Sequence, residues 1–172
     1  MNFVIRSNVA AGLVAVGLWA AAAGPVAAQS VAPASGKALC SALTPTDFTK
    51  LGIPVSALDN ANLDGTDGAY CVYRSTAGKV EFDIFFPAGA NAQAIRETHK
   101  TVLGEGGGKY DPVVVPGATD AQLVLAVPGS KTSASVVVLK DKAVFDIVIP
   151  ASDKARQQLI ALATLVLGRL KG

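Results

Sequence analysis

The stretches "KVEFDIFFPA" (Lys79–Ala88) and "KAVFDIVIPA" (Lys142–Ala151) decide how this chain is read. They share Lys, Phe-Asp-Ile and Pro-Ala at six of ten positions, at a constant offset of 63 residues. Within each, apolar residues alternate as on a β-strand, with Phe82 and Ile84, or Phe145 and Ile147, on one face. Glu81, Asp83 and Phe85 fall on the opposite face of the first copy, and Asp146 on that of the second.

The surroundings repeat as well. "AYCVYRS" precedes the first copy across a tight "TAG" turn, and "SASVVVL" precedes the second across "KDK", so each copy closes a hairpin. A helical stretch follows each: "AQAIRETHKTVLG" after the Asn91 cap, and "KARQQLIALATLVLGRL" after Ser152 and Asp153. The reading is an α+β domain, a mostly antiparallel sheet with helices packed on it, built as an internal β-β-α duplication over 69–104 and 133–168. "QLVLAVP" supplies a further strand. "DNANLDGTDG" (Asp59–Gly68) reads as turn chemistry throughout.

Upstream, "LTPTDFTKLGIP" predicts a short helix. Thr44 caps it, Pro45 takes the first turn, Asp47 completes a capping box, and Gly52 and Pro54 end it. "QSVAPASGKA" (29–38) lacks periodicity and reads as a flexible leader, so the domain spans 39–172. Residues 1–28 read as a signal peptide: Arg6, the apolar run Val9–Gly24, Pro25, then small residues before a cleavage point at Ala28. A retained membrane anchor is the alternative, although the run is shorter than the roughly 20 apolar residues a span needs. Export implies a periplasmic or secreted protein, with no membrane span once the signal is removed.

Removing Arg6 from 15 basic residues leaves 14 against 13 acidic ones, and that near-neutral balance argues against nucleic acid as a partner. Cys40 and Cys71 are the only cysteines. An even count in an exported chain, at a spacing that suits no zinc or redox motif, predicts a disulfide.

The two cysteines around "LTPTDFTKLG" and "CVY", followed by strands and an Ala/Leu-rich terminal helix, resemble the DUF3558-like group of small exported proteins. Mog1/PsbP-like exported proteins are similar at the coarser level of a sheet with helices. The group includes many lipoproteins, but Cys40 follows Leu39 far past the apolar run, so lipid attachment does not carry over. The resemblance implies no catalytic residue and no cofactor.

Catalytic signatures are scarce. His99 is the single histidine, too few for a multi-histidine metal centre, and its place beside Ile95 and Val102 suits packing or a face edge. No G-x-S-x-G or S-x-x-K occurs. "LGEGGGKY" lacks both the leading glycine and the Ser/Thr of a phosphate loop. Asn60, Asn62, Asp64 and Gly65 match the first half of a calcium loop, but its twelfth position is Cys71 instead of glutamate; Asp59, Asp64 and Asp67 outline only an incomplete cradle, so no metal is assigned. Asp83 and Asp146 hold equivalent positions and form the one candidate acid/base pair; otherwise each faces solvent or a cross-strand lysine.

The expected function is therefore a non-catalytic binding module presenting Glu81, Asp83, Phe85 and Asp146 to an envelope protein. The alternatives are a carrier holding a small apolar ligand or lipid between sheet and terminal helix, and a carboxylate-based enzyme.

Overall fold

The computed structural model describes residues 36–63, 68–86, 97, 109–125, 133–141 and 143–170. The signal segment, most of the leader, the helix assigned to 91–103 apart from Glu97 and so including His99, the glycine run before Lys109, and Asp64 and Asp67 lie outside the described residues.

Seven strands form one antiparallel sheet: β1 (Val55–Leu63), β2 (Gly68–Ser75), β3 (Val80–Phe85), β4 (Lys109–Pro112), β5 (Asp120–Leu125), β6 (Ser133–Lys140) and β7 (Ala143–Pro150). Their order across the sheet is β1-β2-β3-β7-β6-β5-β4. The two Phe-Asp-Ile strands, β3 and β7, are thus neighbours at the centre. They run antiparallel, Phe82 opposite Ile147, Asp83 opposite Asp146 and Ile84 opposite Phe145. β1–β2–β3 and β5–β6–β7 are each a three-stranded meander, and the two meet along this central pair. The α+β sheet architecture follows the sequence expectation.

Phe82, Ile84, Phe145 and Ile147 are fully buried on one face. Phe82 and Phe145 meet edge to face, with centroids 6.1 Å apart. Among the described residues, that face is covered by α1 (Gly36–Cys40), α2 (Pro45–Lys50) and α3 (Ala155–Arg169), whose buried residues join the same apolar cluster. α3 contributes Ala155, Leu159, Leu162, Ala163, Val166 and Leu167, the three-and-four spacing of a helix lying on a sheet. Of its other apolar residues, Leu165 is exposed and Ile160 half-buried, so burial is confined to one stripe.

Two strands are absent from the sequence reading. Residues 59–63, assigned to a turn, belong to β1. An edge strand is paired on one side only and is partly solvated, so it tolerates Asp59, Asn60 and Asn62 where a central strand would not. Its pairing with β2 is interrupted twice, between Val55 and Ala57 and between Leu58 and Asn60. β4, at the other edge, has four residues and ends on Pro112, whose missing N–H costs little there. α1 begins at Gly36, inside the stretch assigned to the leader.

The hairpin turns behave as their residues dictate. Asp141 takes a left-handed φ of 52° between β6 and β7, a conformation that aspartate tolerates better than most residues. The bond between Cys40 and Cys71 ties α1 to β2, and both cysteines are buried.

Candidate functional site

The second face of the sheet carries the polar residues that the sequence singles out. Along one row, Tyr70 of β2 lies opposite Asp83 of β3, Asp83 opposite Asp146 of β7, and Asp146 opposite Val137 of β6. One step along, the row is Val72, Glu81, Val148 and Ser135; on the other side it is Gly68, Phe85, Val144 and Leu139. Antiparallel pairing and a period of two therefore collect Glu81, Asp83, Phe85 and Asp146 from the two repeated motifs onto one patch.

The patch is not the open surface expected for it. Asp146 is 3% exposed and Glu81 6%, while Asp83, Phe85 and Tyr70 are partly buried. For Asp146 this corrects the expectation that each aspartate faces solvent, whereas Asp83 keeps partial exposure. The alternation rule assumes a sheet covered on one side, whereas β7 is buried on both faces over all but its last residue. Val137, Leu139 and Val144 form a second apolar cluster on the patch's own face. The near-continuous apolar runs "ASVVVL" and "AVFDIVI" were the signal for that two-sided burial.

Within the patch, the Tyr70 hydroxyl donates to Glu81 Oε1 along the diagonal between adjacent strands. Lys79 Nζ stands 2.7 Å from Glu81 Oε2, so the buried glutamate has a phenol on one oxygen and an ammonium at the other. Burial raises the Tyr70 phenol above its ordinary range, and the hydrogen bond to Glu81 and the negative charges of Glu81, Asp83 and Asp146 raise it further. Tyr70 accordingly stays protonated and donating at neutral pH. Asp83 Oδ1 is shut off from solvent.

Chemically, this is a set of carboxylates held by central strands and closed round by valines and a phenol. It is suited to accept hydrogen bonds from a donor-rich or cationic group. Among the described residues, no three His, Cys, Asp or Glu are placed to hold a metal ion. Asp59, the one described member of the calcium outline, is paired with Arg74.

Two other features bear on function. A pocket of about 190 Å³ lies between Leu125 and Ala134 of the sheet and Ala151–Asp153, Ala155 and Arg156 at the start of α3. Ligand sites usually measure about 300–1,000 Å³, so it offers little room for a lipid chain. At the other end of α3, Arg169 forms a fork with Asp47, 2.6 Å to Oδ2 and 2.9 Å to Oδ1. Thr44 donates to the same Oδ2 through its N–H at 2.8 Å and its hydroxyl at 2.7 Å. The hydrogen bond from Arg169 holds the Asp47 carboxyl far below the usual carboxylate range, against the opposing effect of burial, with the Thr44 contacts assisting. Sequence reasoning found Asp47 as a helix cap but missed its partner, 122 residues away.

Among the described residues, no helix is long and apolar enough to cross a membrane. Compared with family models, with curated proteins and with solved structures, the chain matches none.

Proposed function

We propose that this protein is an exported, disulfide-stapled module that works by binding rather than by catalysis. The signal-like residues 1–28 direct it to the periplasm or the medium, and its partner is an envelope protein or a small ligand with hydrogen-bond donors. The buried Cys40–Cys71 bond is the observation that carries export, because a structural disulfide between core residues belongs to an oxidising compartment. Binding is read from the patch, where Tyr70, Asp83 and Phe85 keep partial exposure beside the buried carboxylates of Glu81 and Asp146. The paired Phe-Asp-Ile strands support an internal duplication that brought two copies of one carboxylate together.

Two measurements test this reading. Intact mass of the exported protein should correspond to a chain starting at Gln29 with its two cysteines bonded. A mass for residues 1–172 with two alkylatable thiols would overturn the reading. A photo-crosslinking side chain at Phe85 should capture a discrete partner in the native envelope, while the same group at exposed Leu165 should not. Equal capture at both positions, or none, would defeat the assignment of the patch.

The opposition of Asp83 and Asp146 favours one second reading, a carboxylate-based hydrolase, since paired carboxyl groups with different surroundings can divide acid and base roles. Turnover of a chromogenic ester, phosphate or glycoside that falls at least about a hundredfold in both Asp83→Asn and Asp146→Asn would establish it over binding.

A further inference from the structure

The first helices are fastened by contacts that converge on a few residues. Cys40 is bonded to Cys71 on β2. Two residues along that strand, the buried Tyr73 hydroxyl lies 3.2 Å from the Cys40 carbonyl and 2.8 Å from that of Leu43. Arg169, at the end of α3, reaches the Ala42 carbonyl at 2.7 Å as well as both oxygens of Asp47. Gln158, near the start of α3, donates to the Leu51 carbonyl at 2.8 Å. Beneath these polar ties Leu39, Leu43, Phe48 and Ile53 are buried, with the Phe48 ring 4.8 Å from that of Tyr73.

This segment is continuous with the sheet only through β1, an edge strand of interrupted register. Among the described residues, its ties to the rest of the fold are the cystine, the apolar contacts and the polar contacts of Tyr73, Gln158 and Arg169. A segment joined to the sheet in this way can open locally without unfolding of the whole domain. The cystine joins this segment to β2, with Cys40 1% and Cys71 0% exposed, so a reductant in solution meets neither sulfur while the segment is closed.

We infer that residues 36–54 are a latched cover, that the Asp47–Arg169 pair is the latch, and that opening of this cover, not unfolding of the sheet, is how the Cys40–Cys71 bond becomes reducible. The cystine then acts as a guarded staple. It limits how far the cover can swing while intact, and it is guarded in turn by the ion pair some residues away.

The test is reduction of the native full chain by a water-soluble phosphine at pH 7, with released thiols trapped by alkylation and counted by mass. The phosphine becomes its oxide, water supplies the oxygen and two protons, and both sulfurs leave as thiols. Asp47→Asn and Arg169→Gln should each speed reduction about ten- to hundredfold, the range that loss of a charge-assisted hydrogen-bonded pair gives. The double variant should be no faster than the faster single one. Arg169→Lys, which keeps the charge but loses the fork, should fall between wild type and Arg169→Gln and covers the case in which the stronger variants do not fold. Val136→Ala on β6, compared at matched global stability, should accelerate reduction far less. Equal acceleration by Val136→Ala would mean that global unfolding exposes the cystine, and an unchanged rate in Asp47→Asn and Arg169→Lys would mean that the pair is no latch. Either result overturns the inference.

Discussion

Asp83 and Asp146 face each other across β3 and β7, the two central strands of a seven-stranded sheet, although they are 63 positions apart in the chain. Each belongs to one copy of the same Phe-Asp-Ile motif, so the repeat is not only echoed in the sequence but paired with itself in space.

That opposition predicts coupling. Like charges directly across an antiparallel pair are unfavourable, and Asp146 is buried, which strengthens the interaction. In a cycle of Asp83→Asn, Asp146→Asn and the double variant, each single change should relieve repulsion that the second can no longer relieve. The expected non-additivity is about 0.5–3 kcal/mol in denaturant unfolding. Additive effects within error would show that the two carboxylates do not sense one another.

The opposite face is apolar and tightly filled. Phe82→Ala or Phe145→Ala removes a fully buried ring from the core and should cost about 3–5 kcal/mol. Because the rings meet edge to face, the double variant should cost less than the two singles added, by about 0.5–1.5 kcal/mol. Chemical denaturation with an unchanged m-value is the measurement.

Gly68 sets how closely β2 can approach β3. A Cβ built there would lie 2.6 Å from the Ile84 carbonyl oxygen and 2.9 Å from the Phe85 ring. The ring can turn aside but the carbonyl belongs to the strand ladder, so Gly68→Ala should destabilise by about 1–3 kcal/mol, as overpacking does. Gly52 has open space around its Cβ position, but its φ of 78° makes alanine there a matter of backbone strain alone. A harmless Gly68→Ala would mean that the two strands can separate locally at no cost.

These cases show where the sequence was legible. Alternation in "VEFDIF" placed Phe82 and Ile84 in the core correctly, because a period of two is a local property of extended backbone. The same alternation misplaced Asp146, because exposure of the second face depends on what packs over it, and the cue to that lay in the near-continuous apolar runs of β6 and β7, not in their alternation. β1 was hidden by Asn and Asp, which speak for turns when counted locally yet are tolerated on an edge strand. The Asp47 cap could be read from the spacing Thr44-Pro45-Thr46-Asp47, but nothing near either residue announces that Arg169 completes it. Side chains brought together by tertiary packing leave no periodicity to find.

The last prediction follows from that pair. The carboxyl of Asp47 is held below its unfolded value, near 3.9, by Arg169 and Thr44. Between the folded and unfolded values the unfolded chain binds more protons, so stability rises with pH through that window. The contribution of Asp47 is fully present above about pH 4 and is lost as pH falls toward the folded value. Asp47→Asn should therefore lower stability at pH 7, where the charge-assisted bonds are intact, and lower it progressively less as pH drops below about 4. Arg169 is held charged more firmly by the same contact, so it does not titrate in this range. Thermal midpoints of wild type and Asp47→Asn measured from pH 7 down to pH 2 should draw together below about pH 4 without meeting, because the folded carboxyl titrates below that range. Curves that stay parallel throughout would show that Asp47 acts by packing and capping geometry, with its charge contributing nothing.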